Sequence, residues 1–194
     1  VTIGDSLLKW RRIASIMPEI ETARLHLRKL RLSDLDELAL IYQDPEVMRY
    51  RLFPSPASKA ATQQILQKML DHWEQYGFGR WATVEKSSQH FIGHAGLEVI
   101  PLLNDIEINY LLARSHWNQG LATEAATAIA TYGFTVLGCD RLVALAKPDN
   151  TASRCVMEKI GMHYKTDIEL YGMNWVYYSL NRDQWKFNNN GSDD

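Results

Sequence analysis

Gly120 and Ala122 stand at the mouth of a long amphipathic helix, in Trp117-Asn118-Gln119-Gly120-Leu121-Ala122-Thr123-Glu124-Ala125. This is the part of the sequence best suited to chemistry. The first N–H groups of an α-helix have no partner inside it, and the helix dipole adds partial positive charge there. Such an end attracts anions, and small residues let a phosphate approach the backbone closely. The turn therefore points to a phosphate-bearing ligand, against the plain alternative of a helix start that binds nothing. Two familiar phosphate loops are absent: there is no Gly-x-x-x-x-Gly-Lys-Ser/Thr, and no Gly-x-Gly-x-x-Gly after a strand. Gly77-Phe78-Gly79 instead leads into a strand-like run, Arg80-Trp81-Ala82-Thr83-Val84-Glu85.

The turn needs elements to hold it. A strand-like run, Ile106-Glu107-Ile108-Asn109-Tyr110-Leu111-Leu112, precedes it, and another, Leu142-Val143-Ala144-Leu145-Ala146, follows the helix. Strand, loop, helix and strand in that order predict a parallel pair joined by a right-handed crossover. Helical spacing of Leu121, Ala125, Ala128, Ile129, Tyr132 and Val136 predicts a helix over residues 120–137, with Gly138 just past its end. Alternation predicts strands at 24–30, 80–86 and 91–100, and two more in 162–180 around Gly172. Ser33 is read as the cap of a first helix that stops at Asp44-Pro45. A second helix covers 58–76, and a short one opens at Asn150 and ends at Gly161. The expected fold is a single-domain α/β, or α+β, mixed sheet, mostly antiparallel with one parallel pair. Residues 1–18 are read as an extension, 19–187 as the domain and 188–194 as a disordered polar tail.

Composition bounds the partners. The 194-residue chain is 46% hydrophobic and 23% charged, with a formal net charge of −2. It lacks the basic excess of a nucleic-acid binder. No apolar run approaches the length of a membrane span, and residues 1–17 lack the continuous apolar core of a signal peptide. Cys139 and Cys155 show no metal-ligand spacing, so no metal site is expected. A reducing, cytoplasmic compartment fits these two cysteines better than secretion.

The order of elements and several fragments resemble the GNAT superfamily of acetyl-CoA-dependent N-acetyltransferases, from about Glu21 to Trp185. The family's pyrophosphate motif is Arg/Gln-x-x-Gly-x-Gly/Ala. Here Gly120 and Ala122 match its last two anchors, and Trp117 departs from the first. Further fragments resemble the RimJ/RimL branch, which acetylates ribosomal-protein N-termini. They are Glu21-Thr22-Ala23-Arg24-Leu25-His26-Leu27-Arg28, Asp44-Pro45-Glu46-Val47-Met48, Phe91-Ile92-Gly93 and Pro148-Asp149-Asn150-Thr151-Ala152-Ser153 before Gly161-Met162.

The resemblance implies direct acetyl transfer from acetyl-CoA to a primary amine. Backbone N–H groups of Gln119, Gly120, Leu121, Ala122 and Thr123 would bind the pyrophosphate. The backbone of Leu111, Leu112 and Ala113 would lie beside the pantetheine, with Asn150 on the cofactor's other side. Glu107 is the expected general base, through a water, and partial burial would raise its pKa. A backbone N–H in residues 110–112 would meet the oxyanion. Many family members place a Tyr acid seven residues beyond the Asn; here that position is Met157. Ser153 is then either the acid or a first-turn Ser that only caps the backbone. Trp73, Trp81 and Tyr132 are read as core, and Cys155 as a small buried filler. The segment Arg49-Tyr50-Arg51-Leu52-Phe53 lies where the family admits the acceptor. That acceptor is expected to be a protein or peptide N-terminal amine. The alternatives are a small-molecule amine (antibiotic, polyamine or amino acid) or a non-catalytic acyl-CoA-binding role. A homodimer is plausible by family.

Overall fold

The computed structural model describes residues 19–52 and 54–185. The readings for residues 1–18, for Phe53 and for the polar tail lie outside them. In chain order the elements are β1 (Ile20–Glu21), β2 (Leu25–Lys29), α1 (Leu35–Gln43), α2 (Pro45–Met48), α3 (Lys59–Tyr76), β3 (Arg80–Glu85), β4 (Phe91–Ile100), β5 (Asp105–Leu112), α4 (Leu121–Thr135), β6 (Arg141–Ala146), α5 (Thr151–Lys159), β7 (His163–Leu170) and β8 (Met173–Asn181). The strands form one eight-stranded sheet in the order β1-β2-β3-β4-β5-β6-β8-β7. Every pair is antiparallel except β5 with β6, the two strands that α4 joins. This is the mixed sheet the sequence predicts, parallel pair included.

Alternation sorts the strand side chains onto two faces. On one face Leu25, Leu27, Trp81, Leu97 and Ile108 pack with Ala125, Ala126, Ile129 and Ala130 of α4. Small residues let α4 lie close: a Cβ on Gly133 would meet a Leu142 methyl at 2.8 Å. On the other face Leu38 and Tyr42 of α1, Met48 of α2, and Leu66 and Met69 of α3 cover Ala82, Phe91 and Leu111. Each buried aliphatic side chain contributes about 1.5–3 kcal/mol. Trp73, Trp81 and Tyr132 are buried, as read from the sequence. The β7–β8 hairpin turns at Tyr171 and Gly172, with φ of 54° and 69°. Two positive φ values make the kind of turn that matches the strands' own twist.

Helix ends follow local chemistry. Ser58 caps α3 by accepting from the Ala61 N–H at 3.2 Å, and Gly77 closes it at φ 76°. The start of α1 differs from the sequence reading. Ser33 falls within a 3-10 turn, Leu32–Asp34, and makes no cap. Asp34, which makes no side-chain bond into α1, ties the turn back instead: its carboxylate accepts from the Arg31 N–H at 2.8 Å and from both Arg28 terminal nitrogens at 2.8 and 2.9 Å. A carboxylate can take three such bonds at once, which a hydroxyl cannot. Asp44-Pro45 ends α1 as expected but also opens α2, Asp44 accepting from the Glu46 N–H at 2.9 Å.

Candidate functional site

Pairing between β5 and β6 is confined to Glu107 and Val143. Beyond that pair the strands part. The gap is lined by residues 109–112 of β5 and by Leu145 and Ala146 of β6. The Ala113 N–H donates to the Ile92 carbonyl of β4 at 2.8 Å. Strand alternation then turns the Tyr110 and Leu112 N–H groups away from β4, into the gap. The Leu112 carbonyl accepts from the Trp117 indole N–H at 2.8 Å. Trp117, the departure from the motif, thus ties the end of β5 to the turn before α4. The gap runs on to that turn as one cavity of about 780 Å³, a size that suits a cofactor with a second substrate.

Gly120 holds φ 77° at the N-terminus of α4, and no side chain caps this helix. Ser58 and Asn150, by contrast, cap α3 and α5. The first-turn N–H groups of Leu121, Ala122 and Thr123 are therefore left for a ligand, beside a position where only glycine sits without strain. The residues present fit a diphosphate. The turn is braced from β2: Arg24 pairs with Glu124 at 2.7 Å and donates to the Gln119 carbonyl at 2.8 Å. Burial opposes ionisation of Glu124, but hydrogen bonds from Thr22 and Arg24 overcome it and hold its pKa below the usual value.

Glu107 lies half-buried in the cavity wall, directly across β4–β5 from Glu98. Arg80, buried on β3, forms an ion pair with Glu98. Burial first, then the Glu98 charge, pushes Glu107 from an ordinary 4.5 up to about 7. Arg80, Arg51 and the Leu145 N–H pull the other way. The carboxyl is thus poised to exchange a proton near neutrality, as a general base requires. The Asn109 side-chain oxygen, next on the same strand face, is buried without a hydrogen-bond donor among the described residues.

Ser153 reaches the gap from the opposite face of β5. Its Oγ is 3.0 Å from the Tyr110 hydroxyl, which donates to the Ser153 carbonyl at 2.9 Å. Its backbone N–H donates to the Asn150 side chain at 3.1 Å. Burial pushes the Tyr110 phenol up, so it stays protonated. Met157 is buried and lines the cavity near Ser153.

The cavity brings together Glu107, Ser153, Leu111, Leu112, Gly120, Leu121, Ala122, Thr123 and Asn150. Ala113 and Gln119 stand outside its lining: Ala113 is bonded back to β4, and the Gln119 carbonyl is taken by Arg24. Cys155 is exposed and lines the cavity, contrary to its reading as a buried filler. Its helix is short and presents that face to the open gap rather than to the core. Arg24, Arg80 and Glu98 are contributors that sequence reasoning missed. Each acts through a partner distant in sequence, so no local spacing marks them. Tyr110 was read only for its backbone, although alternation puts its side chain opposite Glu107. Among the described residues, no helix is long and apolar enough to cross a membrane, and no side-chain cluster is arranged to hold a metal.

A family profile described as "Acetyltransferase (GNAT) domain" matches residues 24–163. Bacillus subtilis YkkB is 35% identical over 153 residues, 77% of this chain and 88% of that protein. The N-acetyltransferase p20 of Bacillus licheniformis is 34% identical over 138 residues, covering 71% and 78%. Among solved structures, a GNAT-family acetyltransferase from Bacillus anthracis superposes with a TM-score of 0.73 at 25% identity, covering 86% and 99%. RimL, an L7/L12 α-N-protein acetyltransferase in complex with coenzyme A, superposes at 0.70 with 19% identity, covering 87% and 99%, and shares the fold.

Proposed function

The chain belongs to the GNAT acetyltransferases and uses acetyl-CoA to acetylate an amine, and from that premise we propose that Glu107 is the base and a polypeptide α-amine the acceptor. The observation that carries this reading is the placement of the Glu107 carboxyl in the cavity wall, directly across from Glu98 where β5 and β6 part, where burial first and then the Glu98 charge push its pKa up to about 7. An ammonium has no lone pair, so the acceptor must lose a proton before it attacks. An N-terminal α-amine, with a pKa of about 7.7–8.0, gives its proton to such a base far more readily than a lysine or polyamine amine near 10.4. The departures at Trp117 and Met157, the Ser at 153 and the fragments around Arg24 and Asn150 support the RimJ/RimL type of chemistry.

The first-turn N–H groups of α4 hold the diphosphate, and the open edge of β5 holds the pantetheine arm. Glu107 takes the amine proton, directly or through a water. The Tyr110 or Leu112 N–H faces the carbonyl oxygen as it gains charge. The Ser153 hydroxyl donates to the departing sulfur.

The test is a thermal melt with acetyl-CoA, against ATP and NAD, paired with thiol release from Glu107→Gln. At a hundredfold excess over Kd, one-site binding adds about 2.7 kcal/mol. For this size of chain that is a rise of roughly 5–11 °C. Glu107→Gln should keep the shift while turnover falls about 10²–10⁴-fold. Unchanged turnover removes Glu107 from the mechanism.

A further inference from the structure

The acceptor end of the cavity holds a cation that the chemistry described so far does not use. Arg51, after α2, lines this end together with Tyr50, Glu98 and Glu107. Its guanidinium makes no hydrogen bond or ion pair among the described residues. The nearby charges are already committed. Glu98 is paired with Arg80. Glu46, at the same mouth, is paired with Arg49 at 3.6 Å. The remaining carboxyl, Glu107, ends the proton transfer neutral if it acts as the base. Arg51 would then face the acceptor as an uncompensated charge among the described residues. Burial most of all, and then Arg80, lowers the Arg51 pKa, against the opposing pull of Tyr42, Glu107 and Glu98. A second group points the same way: Asn109 Oδ1 is a buried acceptor with no donor among the described residues, on the same strand face as Glu107. An amine N–H entering beside Glu107 would supply that donor. The two groups are complementary to an acceptor with an amine at one end and an anion a few atoms away.

We propose that Arg51 selects an acceptor carrying a carboxylate near its reactive α-amine, with Asn109 Oδ1 receiving an N–H of that amine. This rests on the acetyltransferase reading and deepens it to a substrate class. A planar guanidinium binds carboxylate in a two-pronged geometry that an amide cannot match. The carboxylate has two sources: the side chain of an acidic residue at a peptide N-terminus, or the α-carboxylate of a free amino acid.

The experiment measures thiol release at pH 8.5, where Glu107 is ionised, from acetyl-CoA and matched amines. One arm pairs short peptides beginning with Asp or Glu with the same peptides beginning with Asn or Gln. The other pairs free amino acids with their amides. The member bearing the carboxylate should show a kcat/KM about 10- to 100-fold higher, the effect of one charge-assisted hydrogen bond. The arm in which this appears identifies the source. In Arg51→Met that ratio should collapse towards one, and Arg51→Lys should restore part of it. Asn109→Ala should raise KM for both members of a pair. The acetyl-CoA thermal shift, unchanged in each variant, reports that the protein is folded.

Several results overturn the proposal. Amides serving as well as acids would do so. So would a ratio that survives in Arg51→Met while only the acidic limb of the pH profile moves, since Arg51 would then act on Glu107 alone. A protein that binds acetyl-CoA but acetylates none of the carboxylate-bearing amines also refutes it and leaves the acetyltransferase reading standing. Loss of acetyl-CoA binding by the wild type refutes that reading instead.

Discussion

Arg24 and Glu124 lie 100 residues apart and meet at 2.7 Å, joining β2 to the first turn of α4. The pair does more than close a loop. Glu124 is a negative charge in the turn proposed to take a diphosphate, and Arg24 neutralises it while fixing the Gln119 carbonyl. Arg24 is half exposed, so its contribution is that of a surface pair, up to about 1 kcal/mol. Arg24→Ala should weaken acetyl-CoA binding about two- to fivefold, read by titration calorimetry. Adding Glu124→Gln should recover part of the loss by removing the stranded charge. The effect should shrink at high salt. Identical affinity in Arg24→Ala would separate the brace from cofactor binding.

The raised pKa of Glu107 fixes two signs. As a base it must be ionised, so kcat/KM should climb with pH through about 7. For stability the direction is reversed. A carboxyl raised from 4.5 to about 7 holds its proton in the folded state across that window. Its favourable contribution is complete below 4.5 and is lost as pH rises through 7. Glu107→Gln should therefore gain Tm relative to wild type at pH 8 and lose that advantage at pH 4.5. A pH-independent difference would place Glu107 in contact with bulk water.

Ser153 is held on both sides, by Asn150 at its N–H and by Tyr110 at its hydroxyl and carbonyl. If its hydroxyl supports the departing sulfur, Ser153→Ala should lower kcat by at most about 10²-fold and leave KM for acetyl-CoA alone. Thiolate is a fairly good leaving group, so the loss should be smaller than that of Glu107→Gln. An unchanged kcat would leave Ser153 with capping alone.

Gly96 lets β3 and β4 approach closely beside the Arg80–Glu98 pair. A Cβ there would sit 2.3 Å from the Gly79 carbonyl oxygen and 2.4 Å from the Arg80 Cα. Backbone cannot rotate out of the way as a side chain can. Gly96→Ala should cost about 1–3 kcal/mol and lower Tm by roughly 3–10 °C, measured by calorimetry. Turnover should fall too if Arg80 moves away from Glu98. A melt like that of wild type would contradict this close approach.

The sequence by itself determined the elements and the small-residue turn at Gly120 proposed to take the diphosphate. Both depend on neighbours within a few residues. Strand alternation, helical spacing and the exposed N–H groups after Gly120 are all local backbone chemistry. The parallel pairing of β5 and β6 was legible for the same reason, since one helix joins them. At the start of α1 the cap read at Ser33 does not form, and the neighbouring Asp34 carboxylate is taken up by Arg28 of β2 and the Arg31 N–H. The charge pattern of the site was decided only by the tertiary structure. The Glu107 pKa rises to about 7 because burial and then Glu98 push it up against the pull of Arg80 and Arg51, groups that arrive from other segments, and among the described residues the Arg51 guanidinium has no carboxylate partner because Glu98 is paired with Arg80 and Glu46 with Arg49. Cys155 is exposed because its helix borders a gap that opens only where two strands part. Electrostatic interactions act through space and depend on burial, neither of which the order of residues along a chain encodes.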